Sequence, residues 1–305
     1  MRPLILALSL LLGVAVQGLE PCRIEIIEPA TGWVVPGVEL RTVHGVRFVS
    51  DNAGVIACDL PELMGQETWF DIIGHGYEVK KDGFGYRGVR LRPQPGAKLQ
   101  VPVSRIYPAQ RLGRLTGSGL FAESQKLGEH LNWHDGSILG CDSIVTATFH
   151  QQQFWFWGDT NLAHYPLGIF NVSGATTENF QPPSRPPLSV PYHYFTSPKN
   201  PERARGLVTI PGEGPAWLWG AVTLPDEKNA EHLVGAVVKI KNGLTPYRWD
   251  LVEWDAQETS FKSISTIWQE SAATPKAPVI PEGHAVPWTD ETGKKWMLFC
   301  NPFPI

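Results

Sequence analysis

Three residues able to carry acid–base chemistry recur at one interval. Asp142, Glu213 and His284 are separated by successive steps of 71 residues. Each lies in a Gly- or Pro-marked lead-in: Gly140-Cys141-Asp142, Pro211-Gly212-Glu213-Gly214 and Pro281-Glu282-Gly283-His284. A further carboxylate, Asp159, follows the densest aromatic run, Phe154-Trp155-Phe156-Trp157, so the stretch Gly140–Asn161 carries an aspartate near each end. A lone carboxylate beside glycine is ordinarily a turn or a strand-end cap. Recurrence at matching places raises this set to a candidate site, because two such carboxylates can serve as acid and base.

Other chemistries fail on spacing. His130 and His134 are four apart, but Leu131-Asn132-Trp133 between them makes no H-E-x-x-H. Gly117-Ser118-Gly119 is not a G-x-S-x-G nucleophile elbow. Glu291-Thr292-Gly293-Lys294-Lys295 lacks the spacing of a phosphate loop and reads as a hairpin turn. No Cys/His spacing resembles a zinc site, so neither metal nor cofactor is expected. The four cysteines, Cys22, Cys58, Cys141 and Cys300, allow three pairings in an oxidising compartment. Cys22 and Cys58 fall in one candidate domain and could staple it; free buried thiols are the simpler reading for at least one pair.

The elements that must position these residues are short strands. The chain of 305 residues has 30 glycines and 27 prolines but only 18% charged residues, which suits an all-β fold with many turns. A formal charge of −4 with no Lys/Arg run predicts no nucleic-acid partner. Residues 1–18 read as an export signal: Arg2, an apolar run from Leu4 to Val16, then Val16-Gln17-Gly18 as a cleavage site. The run is shorter than the ~20 residues a membrane span needs. The expected location is secreted or periplasmic, with no membrane span after cleavage. Leu19-Glu20-Pro21 argues against lipid attachment at Cys22.

Residues 22–104 alternate in β-like bursts. Cys22–Ile27, Val38–Val43, Val46–Val49 and Val55–Cys58 are separated by turns at Pro29–Gly32, His44-Gly45 and Ser50–Gly54, the pattern of an antiparallel sandwich. Thr31-Gly32, Val35-Pro36-Gly37-Val38-Glu39-Leu40, Ser50-Asp51-Asn52-Ala53-Gly54-Val55 and Gly74-His75-Gly76-Tyr77-Glu78 make this segment resemble the carboxypeptidase-regulatory-like, or transthyretin-like, β-sandwich family. Ser50 in place of Thr and the inserted Trp33-Val34-Val35 depart from that pattern. The resemblance implies a non-catalytic scaffold or adhesion module. Residues 105–136 form a connector, with a short helix expected within Leu120–Leu131 and Glu123 and Lys126 on its wet face.

From 137 to 305 three units repeat a glycine-rich lead-in, an apolar strand, a polar tip such as His150-Gln151-Gln152-Gln153, and an aromatic strand. This predicts a partial β-propeller of about three blade-like units, with an irregular β-sandwich as the alternative. Because propellers close with about four to eight blades, the chain is expected to be part of a longer protein. Asp142, Trp155-Phe156-Trp157-Gly158-Asp159-Thr160 and Glu213 make this part resemble the five-bladed propellers of sugar-active enzymes. The resemblance implies hydrolysis of a glycosidic bond in an extracellular polysaccharide or oligosaccharide. Asp142 would be base or nucleophile, and Glu213 the acid or a modulator of its pKa. His284, Asp159, Trp155, Trp157 and Trp217 would contact substrate. A non-catalytic surface protein that binds glycans or another protein is the alternative function.

Overall fold

The computed structural model describes residues 18–117, 122–163, 165–169, 171–178, 180–241, 244–280 and 283–299. The expected leader, apart from Gly18, and Cys300 lie outside the described residues. The fold is nearly all β, with no closed barrel. Among the described residues no helix is long and apolar enough to cross a membrane.

The first ten strands are β1 (Cys22–Glu28), β2 (Trp33–Val34), β3 (Glu39–Thr42), β4 (Arg47–Val49) and β5 (Val55–Cys58), then β6 (Thr68–Ile73), β7 (Tyr77–Glu78), β8 (Gly88–Leu91), β9 (Lys98–Pro102) and β10 (Ser104–Arg105). Strict alternation along β1 turns Cys22, Ile24 and Ile26 inward. β1 pairs antiparallel with β5 and β2 and parallel with β9, while β4-β3-β6-β8 forms a second antiparallel sheet. Ile24, Ile26, Val38, Leu40, Phe70, Ile72 and Val101 belong to one core between these sheets. The arrangement is compatible with a β-sandwich.

The turn Ser50–Gly54, polar in every residue but Ala53 and Gly54, is not a wet hairpin tip. Asp51 is 1% exposed and Asn52 3%. Buried polar groups need partners, and these have them. Asp51 Oδ1 accepts from the backbone N–H of Ala53 (2.9 Å) and Val55 (3.1 Å), and Oδ2 from that of Ser124 (2.7 Å). Asn52 Nδ2 donates to the carbonyls of Arg114 (3.0 Å) and Leu188 (2.9 Å), and its Oδ1 accepts from Arg114 N–H (2.7 Å). Gly54 at φ +70° closes the turn where an added Cβ would stand 2.6 Å from Val34 Cβ. One turn thus binds the first core to the connector and to the proline-rich segment beyond it.

The connector's helix is a short 3₁₀ turn, Glu123–Leu127, ended by left-handed Gly128. Glu123 does not face water as its position in the pattern implied. Its carboxylate accepts from Ala57 N–H (3.2 Å) and pairs with Lys126 (3.2 Å), and burial pushes its pKa up.

The remaining strands begin with β11 (Ile138–Cys141), β12 (Ile144–Phe149), β13 (Gln152–Trp157), β14 (Thr160–Leu162), β15 (Tyr165–Ile169), β16 (Ser173–Glu178), β17 (His193–Tyr194), β18 (Thr196–Ser197) and β19 (Asn200–Ala204). They continue with β20 (Ala216–Pro225), β21 (Glu231–Lys241), β22 (Thr245–Asp255), β23 (Ser260–Gln269), β24 (Val286–Thr289) and β25 (Lys295–Leu298). Two four-stranded antiparallel sheets dominate, β12-β13-β16-β17 and β20-β21-β22-β23. The expected four-residue tip before Phe154 is a tighter two-residue turn, with His150 and Gln151 at φ 48° and 62°; Gln152 and Gln153 already belong to β13. Such a primed turn matches the strand twist.

β13 is apolar on both faces and is covered on both. Phe154 and Phe156 pack on Trp254, and Phe156 also on Phe261, with centroids 5.1–5.9 Å apart. Trp155 and Trp157 meet Tyr192 edge-on at 5.5 and 5.2 Å. Each fully buried ring of this kind stabilises the fold by about 1.5–3 kcal/mol. Asn171, the sequon asparagine, is tied down: Nδ2 donates to Val208 O (2.6 Å), and Ser173 is wholly buried.

Replacing Asn52 with Ala would orphan Arg114 N–H and the Leu188 carbonyl. The variant is expected to lose roughly 2–3 kcal/mol of stability, read from the urea-unfolding midpoint. A midpoint within error of the parent would show that this turn does not hold the two parts together.

Candidate functional site

Asp142, Glu213 and His284 each lie two or three residues before the first strand of a sheet, β12, β20 and β24 respectively. The interval of 71 therefore marks sheet starts. At the end where β12 begins, Trp217 of β20 reaches Asp159. At the end where β12 finishes, Thr223 Oγ1 donates to Thr148 O (2.6 Å) and Glu231 accepts from His150 N–H (2.8 Å). β12 and β20 hence run side by side in the same direction. The lead-in to β24 comes to the same end, with Gly283 N–H donating to Trp219 O (2.7 Å).

Three of the seven expected site residues meet there. Asp142 is exposed in the bend after β11; Asp159 is half-buried just after β13. Gly158 holds these two bends together: its N–H donates to Ser143 O (3.0 Å), and an added Cβ would stand 2.4 Å from Asp142 Oδ1. Trp217, half-buried, donates its indole N–H to Asp159 Oδ1 at 2.9 Å. Burial raises the Asp159 pKa above the usual aspartate range; the Trp217 hydrogen bond opposes that rise and the neighbouring charge of Asp142 adds to it. The Cys141 thiol beside them is pushed up to about 11, chiefly by burial and secondarily by Asp142. A carboxyl that keeps its proton to higher pH thus stands near one open to solvent, with an indole against it.

The other four residues are placed differently. Glu213 is exposed on a loop anchored to its own sheet: its carbonyl accepts from Tyr247 Oη (2.8 Å), and the next carbonyl, Gly214 O, accepts from Lys239 Nζ (2.6 Å). His284 is exposed beside the Gly283–Trp219 contact. Trp157 is wholly buried and Trp155 is half-buried, its indole N–H given to Thr177 Oγ1 (2.9 Å). Both rings serve the core formed with Tyr192, and neither is a free platform.

The Asp159–Trp217 pair was legible only as an aspartate after an aromatic strand. Its partner lies 58 residues on, in another sheet, and no sequence spacing announces it. A second carboxylate cluster also escaped the sequence reading. His232 Nδ1 lies 2.5 Å from Glu253 Oε1 and Nε2 lies 3.7 Å from Asp226, and the Glu253 hydrogen bond leads in raising the imidazole pKa. Among the described residues no cluster of three or more His, Cys, Asp or Glu side chains is arranged to hold a metal ion. No family model, curated protein or solved structure matches this chain.

These neighbours set opposite pKa changes at Asp159, readable by carboxyl NMR titration. Asp142→Asn is expected to lower the Asp159 pKa by removing a like charge, and Trp217→Phe to raise it by removing the donor. Identical titrations in both variants would mean that neither side chain acts on Asp159. Because the folded pKa is raised, the stability Asp159 contributes is full below its unfolded pKa and is lost as pH rises through the folded one. Asp159→Asn, which keeps an acceptor for Trp217, is therefore expected to be at least as stable as the parent at neutral pH.

Proposed function

We propose that this chain is an exported carbohydrate-active protein that hydrolyses a glycosidic bond in an extracellular polysaccharide at the end of the sheets where β12 and β20 begin. The observation that carries the reading is the grouping of Asp142, Asp159 and the Trp217 indole. Glycosidic hydrolysis needs one carboxylic acid to protonate the leaving oxygen and one carboxylate as base or nucleophile. Asp159, whose pKa is raised by burial, suits the acid; solvent-facing Asp142 suits the base or nucleophile. The acid role passes from Glu213 to Asp159, because Glu213 is anchored on its own sheet. Trp217 holds Asp159 in place, and the exposed part of its ring is a surface on which a sugar can stack.

The same proposal takes residues 22–104 as a transthyretin-like sandwich and the remainder as part of a β-propeller. Two four-stranded antiparallel sheets whose first strands lie side by side in one direction support the propeller. In that architecture first strands line a common axis, and their leading ends share one face.

The test is release of reducing ends from a panel of polysaccharides. Asp142→Asn and Asp159→Asn are each expected to lose about 10²-fold or more, while Glu213→Gln keeps the parental rate. Equal release by the parent and both aspartate variants would sink the hydrolase reading. A non-catalytic glycan-binding role is the second reading, favoured by the half-exposed Trp217 ring, which needs no acid to bind. Binding without turnover, lost in Trp217→Ala but kept in Asp142→Asn, is its signature.

A further inference from the structure

We infer that Cys22 and Cys58 form an intrachain disulfide when the chain folds under oxidising conditions. Cys22 opens β1 and Cys58 closes β5, and the antiparallel register sets them directly opposite each other. Directly opposed residues send their side chains to the same face of a sheet. Both thiols lie in one core, at 0% exposure.

The hydrogen-bond alternation fixes the separation. Ile26 N–H donates to Gly54 O at 2.9 Å, so that pair is a hydrogen-bonded one. Alternate pairs share this character, which extends through Ile24 and Ile56 to Cys22 and Cys58. Hydrogen-bonded antiparallel pairs hold their Cα atoms about 5.5 Å apart. That lies inside the roughly 4.4–6.8 Å window for disulfides. No strand needs to move for the bond to form. It would close a loop containing β2, β3 and β4 and join the two strands that flank the Ser50–Gly54 turn's anchorage.

The chemistry is thiol–disulfide exchange with a small-molecule or protein disulfide as oxidant. One cysteine thiolate attacks that disulfide, forms a mixed disulfide and expels one thiolate; the second cysteine then attacks the mixed bond and expels the other. Each protein thiol loses its proton, and the oxidant takes up the two electrons as a pair of thiols. Timing follows from burial. In the folded chain water and reagents do not reach either sulfur, and burial pushes the Cys58 thiol up to about 11, so little thiolate forms. The bond therefore forms during folding and is shielded once β1 and β5 have paired. The inference is independent of the proposed hydrolytic site, which lies in other sheets.

The experiment refolds the full chain in a mixture of reduced and oxidised glutathione, traps free thiols with an alkylating reagent in denaturant, and maps disulfide-linked peptides by mass spectrometry. The expected result is a Cys22–Cys58 link, slow to reduce in the native protein and fast to reduce once unfolded, with a lower melting temperature after reduction. Cys141→Ser/Cys300→Ser, which leaves only this pair, is expected to form the same link. Alkylation of both Cys22 and Cys58, a link from either to Cys141 or Cys300, or a stable glutathione adduct on one of them would overturn the inference. Cys22→Ala/Cys58→Ala should match the reduced parent in melting temperature; if it also matches the oxidised parent, the pair does not staple the fold.

Discussion

Four consecutive aromatic rings on a β-strand cannot all face one layer. Side chains alternate across a sheet, so Phe154 and Phe156 must be buried on one face of β13 and Trp155 and Trp157 on the other. This constraint calls for two covers. The β20–β23 sheet supplies one through Trp254 and Phe261; Tyr192 and Tyr194 supply the other. Once both are in place β13 is a rigid central strand, and the bend that follows it, Gly158-Asp159, has a defined position against β20. The site depends on this packing, since Asp159 meets Trp217 only because the two sheets are pressed together.

The second organising contact is polar. Asp51 and Asn52 are buried because their amide and carboxylate groups replace water at backbone groups of the connector and of the proline-rich segment near Leu188. An unpaired buried polar group is costly, and six partners for two side chains remove that cost while fixing which segments meet. Apolar burial supplies attraction without direction; this turn supplies the direction.

Electrostatics at the candidate site follow from the same geometry. Asp142 and Asp159 end two different bends, and the absence of a side chain on Gly158 lets those bends close on each other. Partial burial then separates the two carboxyl groups, one holding its proton longer and one open to water. Two chemically identical aspartates acquire different behaviour from their surroundings alone.

Strand content, the two-faced burial of β13, the 50–54 turn and the spacing of sheet starts were legible in the sequence, because each is written in local alternation, in turn residues or in a repeated interval. Asp142 was legible as a candidate for the same reason. The rest depended on which distant segments touch. Glu213 shares Asp142's place in the repeat, yet its loop is held by Tyr247 and Lys239, residues further along the chain. Trp157 reads like an exposed platform, but a side chain's exposure is decided by what packs over it. Asp159, an ordinary turn residue by its neighbours, gains a raised pKa and an indole partner from another sheet. Local pattern determines what a segment can be; the tertiary structure decides which carboxylates share a site, because desolvation and charge coupling act over a few ångströms of space and take no account of distance along the chain.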